Sequence, residues 1–195
     1  SNIFNVLFIL GLSALIIPLY VSKQLIRLDV PLMIALSLAV LVLSVDQMVD
    51  LIDGLLLLAC LAIYIALLAV MSIRDRSKEN GADQTPQKNQ LSGDTPNWLL
   101  NITFIAVGLA LLVLGSRWFV NSTVSFASYL GVSDLVIGLT IVAAGTSMPE
   151  VVTSVIAAIR GERDIAVGNV VGSNIFNLLG VLGISALVAP SGIPV

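Results

Sequence analysis

Residues 1–18 read SNIFNVLFILGLSALIIP, and residues 173–190 read SNIFNLLGVLGISALVAP. Twelve of the eighteen aligned positions are identical: the five of SNIFN, then Leu7, Leu10, Gly11, Ser13, Ala14, Leu15 and Pro18 with their counterparts. Identity at that level marks an internal duplication. It also raises a chemical question, because each copy sets a serine and two asparagines at the head of an apolar run.

The surroundings settle which solvent the chain meets. Of its residues 57% are hydrophobic and only 11% are charged, with a mean hydropathy of +1.05. Soluble domains carry about a quarter charged residues. Several apolar runs approach or exceed the ~20 residues that cross ~30 Å of hydrocarbon. The chain therefore reads as an all-α polytopic membrane protein. It shows no basic n-region or small-residue cleavage site, lacks an initial Met, and starts inside an apolar pattern, so it is expected to be a piece of a longer protein. The lone Cys60, within LLLLACLAIYIALL, reads as a small buried hydrophobe. The chain holds no His, which excludes imidazole catalysis and imidazole metal ligation.

Six spans are expected. The first, within residues 1–22, is partial and ends before Lys23 and Arg27. The others cover about 30–45 (with Pro31 in the first turn), 51–73, 98–129, 132–160 and 164–189. Residues 74–97, RDRSKENGADQTPQKNQLSGDTPN, form a polar aqueous linker. The chain thus divides into 1–73, the linker, and 98–195.

Basic residues orient the spans. Lys23 and Arg27, then Arg74, Arg76, Lys78 and Lys88 of the linker, then Arg160 and Arg163 fall in alternate loops, which are expected to be cytoplasmic. The loop at 46–53 holds Asp46, Asp50 and Asp53 without a base and faces outside. Arg117 is the exception, read as an interfacial snorkelling side chain. The first copy of the repeat ends inside and the second outside, so the copies lie antiparallel. That is an inverted-topology repeat, an architecture of secondary transporters.

The fifth span names the cargo class. Its centre is Gly145-Thr146-Ser147-Met148-Pro149-Glu150. Pro149 should break the helix near Gly145, freeing backbone carbonyls around Ala143 and Ala144 where they can line a cavity or hold an ion. Thr146 and Ser147 add hydroxyl oxygens. Glu150 is the one carboxylate deep within a span, and its insertion costs ~2.5–3.5 kcal/mol, so it is a functional candidate by default. The bland alternative is a small-residue packing patch beside a protonated Glu150. On the sixth span Ser173 and Asn177 share a helical face, and both offer neutral oxygens. Asn174 points elsewhere, toward backbone or linker groups. Gly168 and Gly172 read as a small-xxx-small pair for close helix approach. Ligands that are oxygen only favour hard cations such as Ca²⁺ or Na⁺.

GTSMPE followed by GNVVGSNIFN resembles the second α-repeat of sodium/calcium exchangers, in the cation/calcium antiporter superfamily, especially its compact prokaryotic members. SNIFNVLFILGLSAL looks like the tail of the first α-repeat. The resemblance covers essentially the whole chain in helix order. It implies an inverted-repeat antiporter fold of ten helices, of which about six are present here. It implies sodium-for-calcium exchange by alternating access, with no cofactor, in a prokaryotic plasma or inner membrane. Carried onto this sequence, it makes Glu150 the calcium-binding carboxylate. Thr146, Ser147 and the Ala143 carbonyl are added ligands, Ser173 and Asn177 flanking sodium sites, and Ser1 and Asn5 their first-repeat counterparts.

Two departures follow. The first-repeat helix with its own glutamate is expected upstream of Ser1, and the last two helices beyond Val195. This piece alone is therefore expected to be inactive, needing the missing first-repeat helices. Asn177 stands where some relatives, the potassium-dependent ones among them, resemble an Asp pattern, which leans toward potassium independence. The partners expected are calcium, sodium and the lipid bilayer, with no nucleic acid. The rivals are a proton/calcium exchanger, a non-transporting membrane scaffold, and an intramembrane hydrolase using Ser147 with Glu150, for which a base and an oxyanion site are lacking. No enzyme is expected.

Overall fold

The computed structural model describes residues 1–79, 98–189 and 191–194, with side chains through Arg74 in the first of these segments. Helices dominate it: α1 (Asn2–Ile16), α2 (Leu25–Asp46), α3 (Leu51–Glu79), α4 (Trp98–Tyr129), α5 (Asp134–Thr146), α6 (Met148–Ile159) and α7 (Arg163–Val188). Of these, α2, α3, α4 and α7 are each long and apolar enough to cross a membrane, and α5 with α6 form one further span bent by 45°. The expected spans match these helices to within a few residues. The main differences are the end of α1 at Ile16, short of the expected 22, the earlier start of α2 and the helical continuation of α3 to Glu79. Arg, Lys and Glu at 74–79 are good helix formers, so the first turns of the expected linker are helical; its remainder, 80–97, lies outside the described residues.

Local chemistry sets the ends. Asp50 Oδ1 accepts the Ile52 and Asp53 N–H groups at 2.8 and 2.9 Å, while Asp53 Oδ2 accepts the Asp50 N–H at 3.1 Å. This reciprocal cap starts α3. Ile17 after α1 is extended (φ −146°, ψ 139°), because a residue before proline is pushed out of the helical region. Ala189 after α7 is extended in the same way. The duplication extends to a finer feature: Asn5–Ile9 and Asn177–Val181, at matching places in the two copies, are both wound as a wider π-turn. Equal sequence gives equal local geometry.

The main core lies where α2, α3 and α7 meet, around Leu25, Leu36, Leu57, Val167, Val171, Ile175 and Leu179. Helices α3 and α7 approach closely at Gly54 and Gly183; a Cβ on Gly54 would stand 2.9 Å from the Gly183 carbonyl oxygen. By contrast α4 carries Leu99, Ile105, Leu109 and Trp118 well exposed, an arrangement suited to lipid. Cys60 is exposed rather than buried, since it sits on a face of α3 turned away from that core. Arg117 is exposed on α4.

Both ends of the bundle are tied. A short antiparallel pair joins Met48–Val49 to Ile193–Pro194, so the acidic α2–α3 loop and the segment after α7 share one end. At the other end the Ser22 N–H donates to Asp164 Oδ1 (3.2 Å) and the Arg163 guanidinium lies 4.9 Å from the Tyr20 ring centre. Lys23, Arg27, Arg160 and Arg163 gather there, as the charge pattern requires.

Candidate functional site

Pro149 has no N–H, which strips the Gly145 carbonyl of its usual helical donor. The Ser116 hydroxyl of α4 supplies a replacement. One turn further along α4, Val120 occupies the space beside Gly145, and a Cβ there would sit 2.1 Å from Val120 Cγ2. Gly145 thus stays helical against α4, and the chain bends two residues later than expected, at Ser147 (φ −90°, ψ 2°). The expectation of freed carbonyls at Ala143 and Ala144 is corrected. The Thr146 hydroxyl reaches the Ala143 carbonyl (3.2 Å) and the Val142 carbonyl (2.9 Å), and the Ser147 N–H donates to Ala144 (3.1 Å). Each keeps a second lone pair.

The bend starts α6 at Met148 and puts Glu150 in its first turn, where the helix N-terminus favours negative charge. Helix α6 lies along α1 and α7. Asn169 of α7 donates both amide hydrogens to α6, to the Glu150 backbone carbonyl (3.2 Å) and the Ser154 hydroxyl (2.9 Å). Asn169 escaped the sequence reading, although an asparagine inside AVGNVVG was a visible signal.

Where α1 meets α7, the two SNIFN segments hold each other. Asn5 Nδ2 donates to Ser173 Oγ (3.2 Å) and Asn174 Oδ1 (3.1 Å). Asn177 Nδ2 donates to Ser1 Oγ (3.3 Å) and Asn2 Oδ1 (2.9 Å). Asn2 and Asn174 each donate to the other's backbone carbonyl, at 3.5 and 3.4 Å. Each contact of one copy is returned by its equivalent in the other, the mark of a two-fold relation. The numbers in these pairs rise on one strand of the crossing as they fall on the other, so the copies run antiparallel. Asn174 does bond backbone, as expected, but on α1 rather than the linker, and it also reaches Met33 Sδ of α2.

Of the eight candidate residues, the structure joins Asn5 to Ser173, Asn177 to Ser1 and Thr146 to the Ala143 carbonyl directly. Glu150 is linked to α7 through its backbone, and no hydrogen bond joins its carboxylate to the other seven among the described residues. Ser1, Asn177 and Ala143 line a groove of about 1180 Å³ that leaves out Glu150, Thr146 and Ser147. What groups Glu150 with its neighbours is a shared lack. Four sealed side-chain oxygens among the described residues have no partner: Asn5 Oδ1, Ser13 Oγ, Ser147 Oγ and Glu150 Oε2. Buried polar atoms are rarely left so. Three of the four belong to the candidate set, and they sit on the facing elements α1 and α6 and the bend between α5 and α6.

The sequence matches the family described as sodium/calcium exchanger protein over residues 1–70 and 100–195. The chain belongs to that family. Its members are transporters, not enzymes, and the chain is accordingly an integral membrane protein. It is 37% identical, over 97% of its length, to the putative antiporter CaxA of Alkalimonas amylolytica, and 36% identical, over 99%, to the inner membrane protein YrbG of Escherichia coli K12. It spans 59% of the length of each. A solved structure of the sodium-calcium exchanger NCX_Mj, soaked with zero Na⁺ and Ca²⁺, superposes on 96% of the chain and 57% of its own length, with a TM-score of 0.71 and 29% identity. The exchanger fold and its inverted repeat agree with the sequence reading.

Proposed function

We propose that the protein containing this chain exchanges sodium for calcium across the membrane by alternating access. The observation that carries this reading is the set of unpartnered buried oxygens Asn5 Oδ1, Ser147 Oγ and Glu150 Oε2. Oxygen-only donors with one carboxylate suit a hard cation, and Ca²⁺ and Na⁺ would compete for them. Thr146, Ser173, Asn177, Ser1 and the Ala143 carbonyl complete the proposed ligand set. Loading one ion displaces the other, and the opposed repeats present the shared site to either side. The ion shifts that equilibrium only through its different affinity for the two states.

In this reading 1–73 and 98–195 belong to opposed repeats joined by a cytoplasmic linker, on the side where the basic loops gather. The groove of about 1180 Å³ suits a first-repeat counterpart of α6 with its own carboxylate. Sodium as the coupling ion is supported by the likeness to NCX_Mj, whose name states sodium and calcium. A proton/calcium exchanger is the second reading, favoured by Glu150 as an acidic group that could carry the proton. Vesicles containing the full-length protein decide between them. Calcium uptake should follow an imposed sodium gradient and ignore a proton gradient of equal size; the reverse pattern selects the proton reading, and no uptake under either rejects transport.

A further inference from the structure

Asp29 takes no part in the site above, yet it is a carboxylate within a membrane span and only 6% exposed. Its Oδ1 accepts the Tyr64 hydroxyl of α3 at 3.1 Å, the one hydrogen bond it makes among the described residues. The nearest bases in sequence give no ion pair: Lys23 and Arg27 are exposed, and Arg163 lies over the Tyr20 ring. A buried carboxylate without a countercharge is costly, so it takes up either a cation or a proton as balance.

The space for that balance is present. Asp29 lines a cavity of about 350 Å³ with Tyr64, Ser22, Gln24, Gly168 and Gly172. The two glycines were read from sequence as a helix-packing pair, and that reading is corrected here. Among the described residues, a Cβ on either would find nothing within 4 Å. They bring no helix closer; they keep the wall of α7 bare where it faces Asp29. Glycine inside a helix is itself unfavourable, and at these positions packing supplies no reason for it.

We propose that this cavity is a second cation site, separate from the exchange site, that takes one partly hydrated alkali-metal cation with Asp29 as its charged ligand. One carboxylate among neutral hydroxyl and amide oxygens balances a single positive charge, whereas a divalent ion would leave an uncompensated charge in a low-dielectric wall. The volume of about 350 Å³ equals roughly twelve waters at ~30 Å³ each, so the ion keeps part of its shell. Tyr64 fixes the orientation of the carboxylate by donating to Oδ1 and leaves Oδ2 to the cation.

The test uses the full-length protein carrying Glu150→Gln, which separates this site from the exchange site. Equilibrium binding of radioactive sodium should reveal one saturable ion, and melting in sodium chloride should exceed that in choline chloride at equal ionic strength. Adding Asp29→Asn should weaken this binding at least tenfold and remove the sodium-dependent melting shift. Gly172→Leu, which fills the cavity from another helix, should do the same, so a folding failure of one variant leaves the other to decide. Potassium should compete for the site and calcium at equal concentration should not. Sodium binding unchanged by both substitutions overturns the proposal, as does the absence of any saturable sodium in the Glu150→Gln protein. Failure of the exchange reading shows separately, as calcium uptake that survives Glu150→Gln.

Discussion

The first copy of the repeat leaves Asn5, Ile9 and Ser13 at 1%, 0% and 0% exposure, because α6 lies over that face. In the second copy the matching Asn177, Val181 and Ser185 line the open groove, with Val181 at 48%. A second pair of positions contrasts in the opposite sense. Gly11 has open space where a Cβ would be, whereas a Cβ on Gly183 would lie 3.0 Å from Leu58 Cγ and 3.2 Å from the Gly54 carbonyl oxygen. The two copies share sequence, π-turn and terminal kink, so the contrast comes from their neighbours. Each copy is a neutral, oxygen-bearing rail, and it becomes an ion site where an acid-bearing helix lies against it.

The largest expected effect tests that last statement. Glu150→Gln removes the charge facing the first copy, and calcium uptake by the full-length protein should fall at least about 100-fold, the scale of losing one fully used charged contact (~2.7 kcal/mol). Retained uptake would break the comparison at its root. Next comes the asparagine pair. Asn5→Asp loses donation to Ser173 and Asn174 and buries a charge under α6, costing about 3 kcal/mol or more, while Asn177→Asp loses donation to Ser1 and Asn2 on the less covered copy and should cost less. Thermal melting in detergent compares them, and equal losses would mean that the two faces are equally covered.

The glycine pair sharpens the contrast further. Gly183→Ala forces α7 away from α3 and should destabilise by about 1–3 kcal/mol, whereas Gly11→Ala should stabilise by about 0.5–1 kcal/mol through reduced chain entropy. The smallest effect belongs to the bend. Ser116→Ala leaves the Gly145 carbonyl short of a donor and should cost about 1 kcal/mol, read as a lowered melting temperature with calcium affinity little changed.

Much of this was legible before any coordinates. Hydropathy marked every span, since nothing else explains such apolar runs, and the duplicated SNIFN segments revealed their own inversion through the charges flanking them. Pro149 announced the bend. What stayed hidden depended on partners from distant segments. Ser116 matters because a carbonyl on another helix lost its donor, and no local pattern shows that. Asp29, two residues from Arg27, lies buried within α2, which corrects the reading that Glu150 is the one carboxylate within a span. Gly168 and Gly172 carry the spacing of a packing motif, and only three dimensions show that none of the described residues packs against them. The position of the break moved from Gly145 to Ser147 for the same reason, a contact with α4.

The central claim is that oxygens of α1, α6 and the bend before it form one hard-cation site charged by Glu150. Its most direct test is a calcium-binding isotherm of the purified full-length protein at rising sodium concentration, for the wild type and for Glu150→Gln. The account predicts that sodium displaces calcium competitively in the wild type and that the variant keeps no saturable calcium binding. Calcium binding in the variant equal to the wild type, or wild-type binding indifferent to sodium, would contradict it.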